Sequence, residues 1–251
     1  MGVIRAFLTI LLTAGCLNPE KEGINSSKTG EDSLELLNRE ILEKPDNPEI
    51  YYRRALIKNA RKEKRSALND ALRALFLDSN NCEYLAFAGL LAREIDLYVA
   101  ESLSKVMLVR CPQDTTAPVW LLNYYVFSVY GGDVEGLTKA TGVALTFIKN
   151  QPSLPRAYYL AGLIYKKWRD TMKAIEFFER SLAIEKAYCP SLLQLFYLYL
   201  PRDYQKARKY IDMAIACDSS DYEILTSAVW VYLEKERDIN PAKKIIQWLR
   251  R

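Results

Sequence analysis

The sequence predicts an all-α fold built from repeated pairs of helices. From residue 33 onward, apolar residues recur at the three- and four-residue spacing of an amphipathic helix, and no stretch shows the alternation typical of strands. The same pattern of small residues also returns after about 33 residues, since Ala55 and Ala67 are followed by Ala88 and Ala100. A period of this length is typical of stacked helix-turn-helix units.

The first element is an N-terminal segment, residues 1–15, that has the features of a signal peptide. Arg5 precedes an apolar run that ends at Leu12, and this run is too short to span a bilayer, which needs about 20 apolar residues. The letters LTAGC at 12–16 resemble a bacterial lipobox, where a protease cuts before a cysteine that carries lipid. We therefore expect an acylated Cys16 that anchors the protein in a bilayer; the alternative is an ordinary secreted protein.

Residues 16–32 form the second element, a predicted flexible membrane tether. The segment is rich in Glu, Lys, Ser, Gly and Asn, and it cannot bury enough apolar surface to offset its chain entropy. Leu17 follows the cysteine, whereas aspartate at that position retains bacterial lipoproteins in the inner membrane. The resemblance therefore implies that the protein lies in the cell envelope, at the outer rather than the inner membrane. It does not indicate which face of that membrane the protein occupies.

The rest of the chain, 33–251, is predicted to be one helical repeat domain. A leading helix over 33–44 precedes the first repeat, and the clearest pair of helices covers 155–167 and 171–184. Asp170 is expected to cap the second helix of that pair. An apolar stripe on this second helix is expected to face the core, and it consists mainly of Met172, Ile175, Phe178 and Leu182.

The units on either side share this frame. Downstream, Pro201 is expected to end a first helix and Asp203 to cap the helix that follows. A looser and longer unit lies between Trp120 and Pro152. Together these units extend the repeat pattern over most of the chain.

The residues of the clearest pair resemble the tetratricopeptide repeat, whose period is about 34 residues. They stand at the spacing of that family: Tyr158, Ala161, Gly162, Tyr165, Ala174 and Phe178. The resemblance implies a right-handed α-solenoid of about six helix-turn-helix repeats. Together with the signal segment and the lipobox, the chain is similar to the small tetratricopeptide lipoproteins that are common in Bacteroidota.

Composition excludes several classes of function. The absence of histidine excludes a Ser-His-Asp triad and histidine-ligated metals, and a net charge of +4 does not favour a nucleic-acid surface. The sequence contains neither a Gly-rich phosphate loop nor a closely spaced set of cysteines. We therefore expect no enzymatic activity, no cofactor, no metal site and no nucleic-acid partner.

In this family the first helix of each repeat lines a concave groove, and the resemblance implies a groove of tyrosine and leucine with one basic spot. The groove residues that it implies are Tyr52, Leu85, Tyr125, Tyr159, Lys166, Tyr197 and Tyr222. Such a surface suits a segment of a partner protein in an envelope assembly. The alternative for each tyrosine is packing between neighbouring helices. The alternative function is binding of an envelope glycan or polymer, which the scattered tryptophans favour less.

Four cysteines besides Cys16 fall into two pairs in the repeat frame. Cys82 and Cys111 stand at the start of the first helix and the end of the second helix of one repeat, as do Cys189 and Cys217 in another. Export to an oxidising compartment favours disulfides, and these pairings stay within single repeats. The alternative is four free, buried thiols.

A basic cluster covers 53–65, with seven Lys and Arg residues. One interpretation is contact with an anionic headgroup, a glycan or an acidic partner. The other is a solvated turn between two helices.

Overall fold

The computed structural model describes residues 29–129, 133–235, 237 and 239–249. Over these residues the chain is all-α, with thirteen α-helices and no strand. The signal segment, Cys16 and residues 17–28 of the predicted tether lie outside the described residues. The first helix begins at Thr29, four residues before the start expected from the apolar pattern.

One leading helix precedes six pairs of helices among the described residues. The helices are α1 (Thr29–Glu43), α2 (Pro48–Ala60), α3 (Lys64–Leu77), α4 (Cys82–Ile95), α5 (Leu97–Arg110), α6 (Thr116–Asn123), α7 (Val134–Asn150), α8 (Pro155–Lys167), α9 (Thr171–Ile184), α10 (Cys189–Tyr199), α11 (Tyr204–Cys217), α12 (Tyr222–Trp230) and α13 (Ile239–Leu249). α6 continues as a π-helix over Tyr124–Val129, and α12 continues as one over Val231–Lys235. Repeats 1 to 6 are the successive pairs from α2–α3 to α12–α13.

Short polar side chains start most of these helices. The Asp170 carboxylate accepts a hydrogen bond from the Lys173 backbone N–H at 3.1 Å, and Asp203 accepts one from Lys206 at 3.0 Å. Both caps were expected from the sequence, and both are confirmed. They satisfy backbone donors that a helix start otherwise leaves without a partner.

In repeats 1 and 4, the aromatic residue near the start of the first helix forms a hydrogen bond with the preceding turn. In repeat 1 the Tyr51 hydroxyl donates to the Pro45 carbonyl at 3.0 Å, and in repeat 4 Tyr158 donates to Pro152 at the same distance. The equal geometry in two separate repeats shows that the shared sequence frame produces a shared local structure.

Small residues allow the two helices of a repeat to approach closely. A Cβ atom added at Gly162 of α8 would lie 2.6 to 2.9 Å from three ring atoms of Phe178 on α9. Such distances are well inside van der Waals contact, so the position requires glycine. Phe178 is fully buried by this contact.

The chain divides into two compact units, an N-terminal unit up to Ala117 and a C-terminal unit from Pro118. Each has its own hydrophobic cores. On α9, Ile175 and Phe178 are buried as expected and Leu182 is partly buried, but Met172 is 76% exposed. At 3.6 residues per turn, Met172 lies across the helix from the fully buried Ser181, so it faces solvent although Ala174 in the same turn is buried. Among the described helices, none combines the length and the hydropathy needed to cross a bilayer.

A disulfide joins the two helices in each of two repeats. Cys82 is bonded to Cys111 in repeat 2, with a Cα–Cα distance of 5.9 Å. Cys189 is bonded to Cys217 in repeat 5, with a Cα–Cα distance of 5.7 Å. Each bond connects the start of a first helix to the end of a second helix. Because repeat 2 belongs to the N-terminal unit and repeat 5 to the C-terminal unit, each unit contains one disulfide.

Candidate partner-binding surface

In the N-terminal unit, the first-helix surface of repeats 1 and 2 is closed by tyrosine–carboxylate hydrogen bonds. The Tyr52 hydroxyl donates to Glu83 at 2.9 Å, and the Tyr84 hydroxyl donates to Glu49 at 2.8 Å. The Tyr52 ring also packs on Tyr84 and on Phe87, with centroid distances of 4.8 and 5.5 Å. Burial, aided by the Glu49 hydrogen bond, raises the pKa of Tyr84 to about 12. Tyr52 therefore links neighbouring repeats, and its hydroxyl is already engaged.

Two predicted groove residues, Leu85 and Tyr125, belong to the core instead. Each is only 1% exposed, so neither is accessible to a partner. Leu85 packs with Met107 and Ala117 in the N-terminal unit. Tyr125 lies at the start of the π-helix after α6, four residues after Leu121, which is also fully buried, so this face of the element packs into the core.

The other four predicted groove residues lie on first helices of the C-terminal unit and keep some exposure. Tyr159 on α8 is half-buried between Phe178 and Tyr188, at centroid distances of 5.9 and 5.8 Å. Burial raises its pKa to about 12, so its hydroxyl is protonated at neutral pH. Tyr222 on α12 is 73% exposed.

Tyr197 connects α10 to α12. Its hydroxyl lies 2.7 Å from the Ser227 hydroxyl and donates to Glu223 at 3.2 Å. Desolvation is the main cause that raises its pKa. Tyr197 thus has a packing role between repeats 5 and 6 in addition to its half-exposed position.

An apolar cavity of about 310 Å³ opens on the first-helix surface of the C-terminal unit. Its lining comes from the end of α6 and the π-helix, from α8 and from α10, and consists of Leu122, Asn123, Val126, Leu160, Leu163, Ile164, Lys166, Lys167 and Gln194. The sequence pointed to Lys166 but not to this cavity. Leucine and isoleucine of this kind occur throughout the helices, so nothing in the pattern marked them.

Lys166 holds its ammonium group beside this cavity. Its Nζ donates to the Gln194 side-chain oxygen at 2.7 Å and lies 6.0 Å from the centroid of the Tyr197 ring. Burial lowers the pKa of Lys166, and the charge of Glu223 opposes that shift. The site therefore combines apolar walls with a partly desolvated cation.

Two further pockets lie in the C-terminal unit. One, of about 370 Å³, lies between α10 and α12 beside Trp230, which is 43% exposed. The other, of about 450 Å³, is lined by Thr138, Thr141, Tyr165, Trp168, Asp170 and Lys173. In that pocket the Trp168 indole N–H donates to the Thr141 hydroxyl at 3.1 Å.

The basic cluster at 53–65 is partly neutralised within the N-terminal unit. Buried Asp70 accepts two hydrogen bonds from Arg54, at 2.6 and 2.8 Å, and pairs with Lys58 at 2.8 Å. Lys64 pairs with Glu94. The seven cations thus do not form one uniform patch, and the remaining exposed charge concentrates at the α2–α3 turn. Within the described residues, no group of three or more Cys, Asp and Glu side chains is arranged to hold a metal ion.

No protein-family profile and no curated protein matches the sequence. Solved structures do match. YrrB, described as a tetratricopeptide protein with an unusual peptide-binding site, is 17% identical, with a TM-score of 0.56 over 78% of this chain and 98% of YrrB. PilF of Pseudomonas aeruginosa is 19% identical, with a TM-score of 0.57 over 89% of this chain and 93% of PilF.

A third similar structure is the C-terminal part of a tetratricopeptide protein from Cytophaga hutchinsonii. It is 18% identical, with a TM-score of 0.61 over 88% of this chain and 89% of that one. These likenesses agree with the all-α order of paired helices. The chain therefore has the tetratricopeptide-repeat fold.

Proposed function

We propose that this protein is a lipid-anchored adaptor of the bacterial cell envelope, whose C-terminal unit holds a segment of another protein. The observation that carries the proposal is the apolar cavity beside Lys166 and Lys167. Exposed apolar concavities with a few polar groups at the rim are typical binding sites, and side chains of a partner segment fill them. The peptide-binding site described for YrrB, which shares the fold, supports the same use of the repeats.

Membrane anchoring and localisation are part of the same proposal. The signal segment and the lipobox support acylation of Cys16, and Leu17 supports export to the outer membrane. An adaptor of this design attaches a soluble partner to a membrane surface. A Cys16→Ser variant should lose its membrane association in a carbonate wash; a variant that stays bound as firmly as the parent excludes a lipid anchor.

Capture of the partner tests the binding site. Asn123 is exposed at the cavity, so Asn123→Trp should obstruct the cavity without removing a core contact. Met172→Trp, at an exposed site on α9, is the matched control. The detergent-solubilised parent and the control should retain the same stoichiometric protein from membranes of the native host, as identified by cross-linking and mass spectrometry. Asn123→Trp should not. Equal capture by all three proteins would contradict this use of the cavity.

One observation supports a second candidate, a binder of envelope glycan. The pocket that contains Tyr165 and Trp168 also places Asp170 and Thr138 beside these aromatic rings. Aromatic faces beside polar groups suit sugar rings, which have apolar faces and hydroxyl edges. Recovery of glycan without a stoichiometric protein in the capture experiment would favour this function over the adaptor.

A further inference from the structure

One face of α8 carries positively charged side chains and no negatively charged ones. Arg156, Tyr159, Leu163 and Lys166 follow one another at the helical spacing that places side chains on one face, and Lys167 adjoins them. Three of these five side chains are cations. The neighbouring stretch of α10 that lines the cavity contributes the neutral amide of Gln194.

Lys166, unlike Lys139 and Arg180 of the same unit, forms no ion pair with a carboxylate among the described residues. Lys139 pairs with Glu135 at 2.8 Å, and Arg180 pairs with Glu176 at 2.7 Å, each four residues earlier on the same helix. The residue four before Lys166 is Gly162, which the Phe178 ring requires. The helix therefore has no room for an acidic partner at that position.

The nearest negative charge that acts on Lys166 is already engaged. Glu223 on α12 influences Lys166 through its charge, but it accepts the Tyr197 hydroxyl and forms no ion pair with Lys166. The only hydrogen bond of the Lys166 ammonium to a described residue goes to the amide oxygen of Gln194. An incoming anion would stabilise the charge of this ammonium more than that of a fully hydrated one, because the Lys166 ammonium is partly desolvated.

We propose that the cavity beside Lys166 selects an acidic, apolar segment of the partner protein. An apolar side chain of the segment enters the cavity, and an adjacent carboxylate accepts a hydrogen bond from the Lys166 ammonium. The apolar contact supplies most of the affinity, and the charge pair supplies selectivity. This inference rests on the proposed function, because it specifies the chemistry of the segment that the adaptor holds.

Selection from a display library of random peptides tests the inference directly. The parent should enrich peptides in which a large aliphatic or aromatic residue lies close to Asp or Glu. For the best such peptide, Lys166→Gln should weaken binding about tenfold, which corresponds to about 1.4 kcal/mol. Lys166→Arg, which keeps the charge, should bind within about threefold of the parent, a difference below 1 kcal/mol. Lys209→Gln, an exposed lysine on α11, is the matched control and should bind like the parent.

A charge exchange sharpens the test. Lys166→Glu should reject the selected peptide and should bind a version in which the acidic residue is replaced by lysine. Enriched peptides that lack acidic residues, or that bind Lys166→Gln as tightly as the parent, would overturn the inference while the adaptor proposal stands. If the parent enriches no peptide at all, both proposals fail.

Discussion

The first-helix surfaces of repeats 1 and 4 share a helical frame and a half-buried tyrosine, but the two tyrosines are held differently. In repeat 1, Tyr52 packs on the next repeat and its hydroxyl is held by Glu83. In repeat 4, Tyr159 occupies the equivalent place, and among the described residues no acceptor holds its hydroxyl. The same residue type thus forms a hydrogen bond between repeats on one surface and packs only through its ring on the other, where Leu160 and Leu163 of the same helix line the cavity.

A few substitutions account for this difference. Glu49, which accepts the Tyr84 hydroxyl, is replaced by Arg156 in the frame of repeat 4, and Asn59 is replaced by Lys166. The start of α10 offers Pro190, Ser191 and Leu192, none of which supplies a carboxylate. In these two repeats, therefore, the presence or absence of a complementary carboxylate decides whether the tyrosine hydroxyl is held by a neighbouring repeat.

The largest expected effect concerns the disulfides, which both units share. Replacing Cys189 and Cys217 with serine should lower the free energy of unfolding by about 3 kcal/mol, because a closed loop of this size restricts the unfolded chain. Replacing Cys82 and Cys111 should have a similar effect. Denaturant unfolding of protein made in an oxidising compartment measures both. Reductant should remove the difference between the variants and the parent.

The disulfide pairing itself is checked by peptide mapping under non-reducing conditions. We expect only the peptides that join Cys82 to Cys111 and Cys189 to Cys217. Four free thiols, or peptides that join the two units, would contradict the pairing.

The next largest effect concerns helix approach in repeat 4. Gly162→Ala should destabilise the protein by about 1 to 3 kcal/mol, because the new Cβ overlaps the Phe178 ring. The control is Gly142→Ala in α7, where a Cβ would meet nothing within 4 Å, and it should stabilise by about 0.5 to 1 kcal/mol. Thermal or denaturant unfolding should therefore show a loss of stability for Gly162→Ala and a gain for Gly142→Ala. Equal signs would show that the contact at Gly162 is not as close as described.

A smaller difference in stability is expected between variants of the two equivalent tyrosines, Tyr52 and Tyr159. Tyr52→Phe removes the donor to Glu83 and should cost about 1 kcal/mol of stability. Tyr159→Phe removes a hydroxyl that makes no hydrogen bond to a described residue and should change stability by less than about 0.5 kcal/mol. Equal losses in denaturant unfolding would mean that the two surfaces are held together in the same way.

The last effect is a pH dependence in the N-terminal unit, which appears only in alkaline solution. Folding raises the pKa of Tyr84 to about 12, so the folded state favours the protonated phenol. Its contribution to stability is present below the unfolded pKa of about 10 and is lost as the pH rises towards 12. Tyr84→Phe should flatten the decline of stability over this range. An unchanged slope would exclude Tyr84 as its source.

Local sequence signals predicted the repeat frame and the caps, because each depends on residues within a single helix pair. The caps at Asp170 and Asp203 and the small residue at Gly162 are of this kind. The cavity beside Lys166 depends on how three successive first helices pack, and no local pattern encodes that spacing. Leu85 and Tyr125 were misplaced for the same reason, because their burial depends on how neighbouring helices pack and not on the pattern within one helix.

The within-repeat disulfides also determine how the protein responds to a pulling force. In the adaptor that we propose, tension would run along the chain between the membrane and the partner, and a bonded loop cannot lengthen. Cys82–Cys111 and Cys189–Cys217 enclose sequence separations of 29 and 28 residues. Each bond therefore withholds about 100 Å of extended chain, at about 3.5 Å per residue. Under tension, repeats 2 and 5 act as short links of limited extension, whereas repeats without a bond lengthen fully once they unfold.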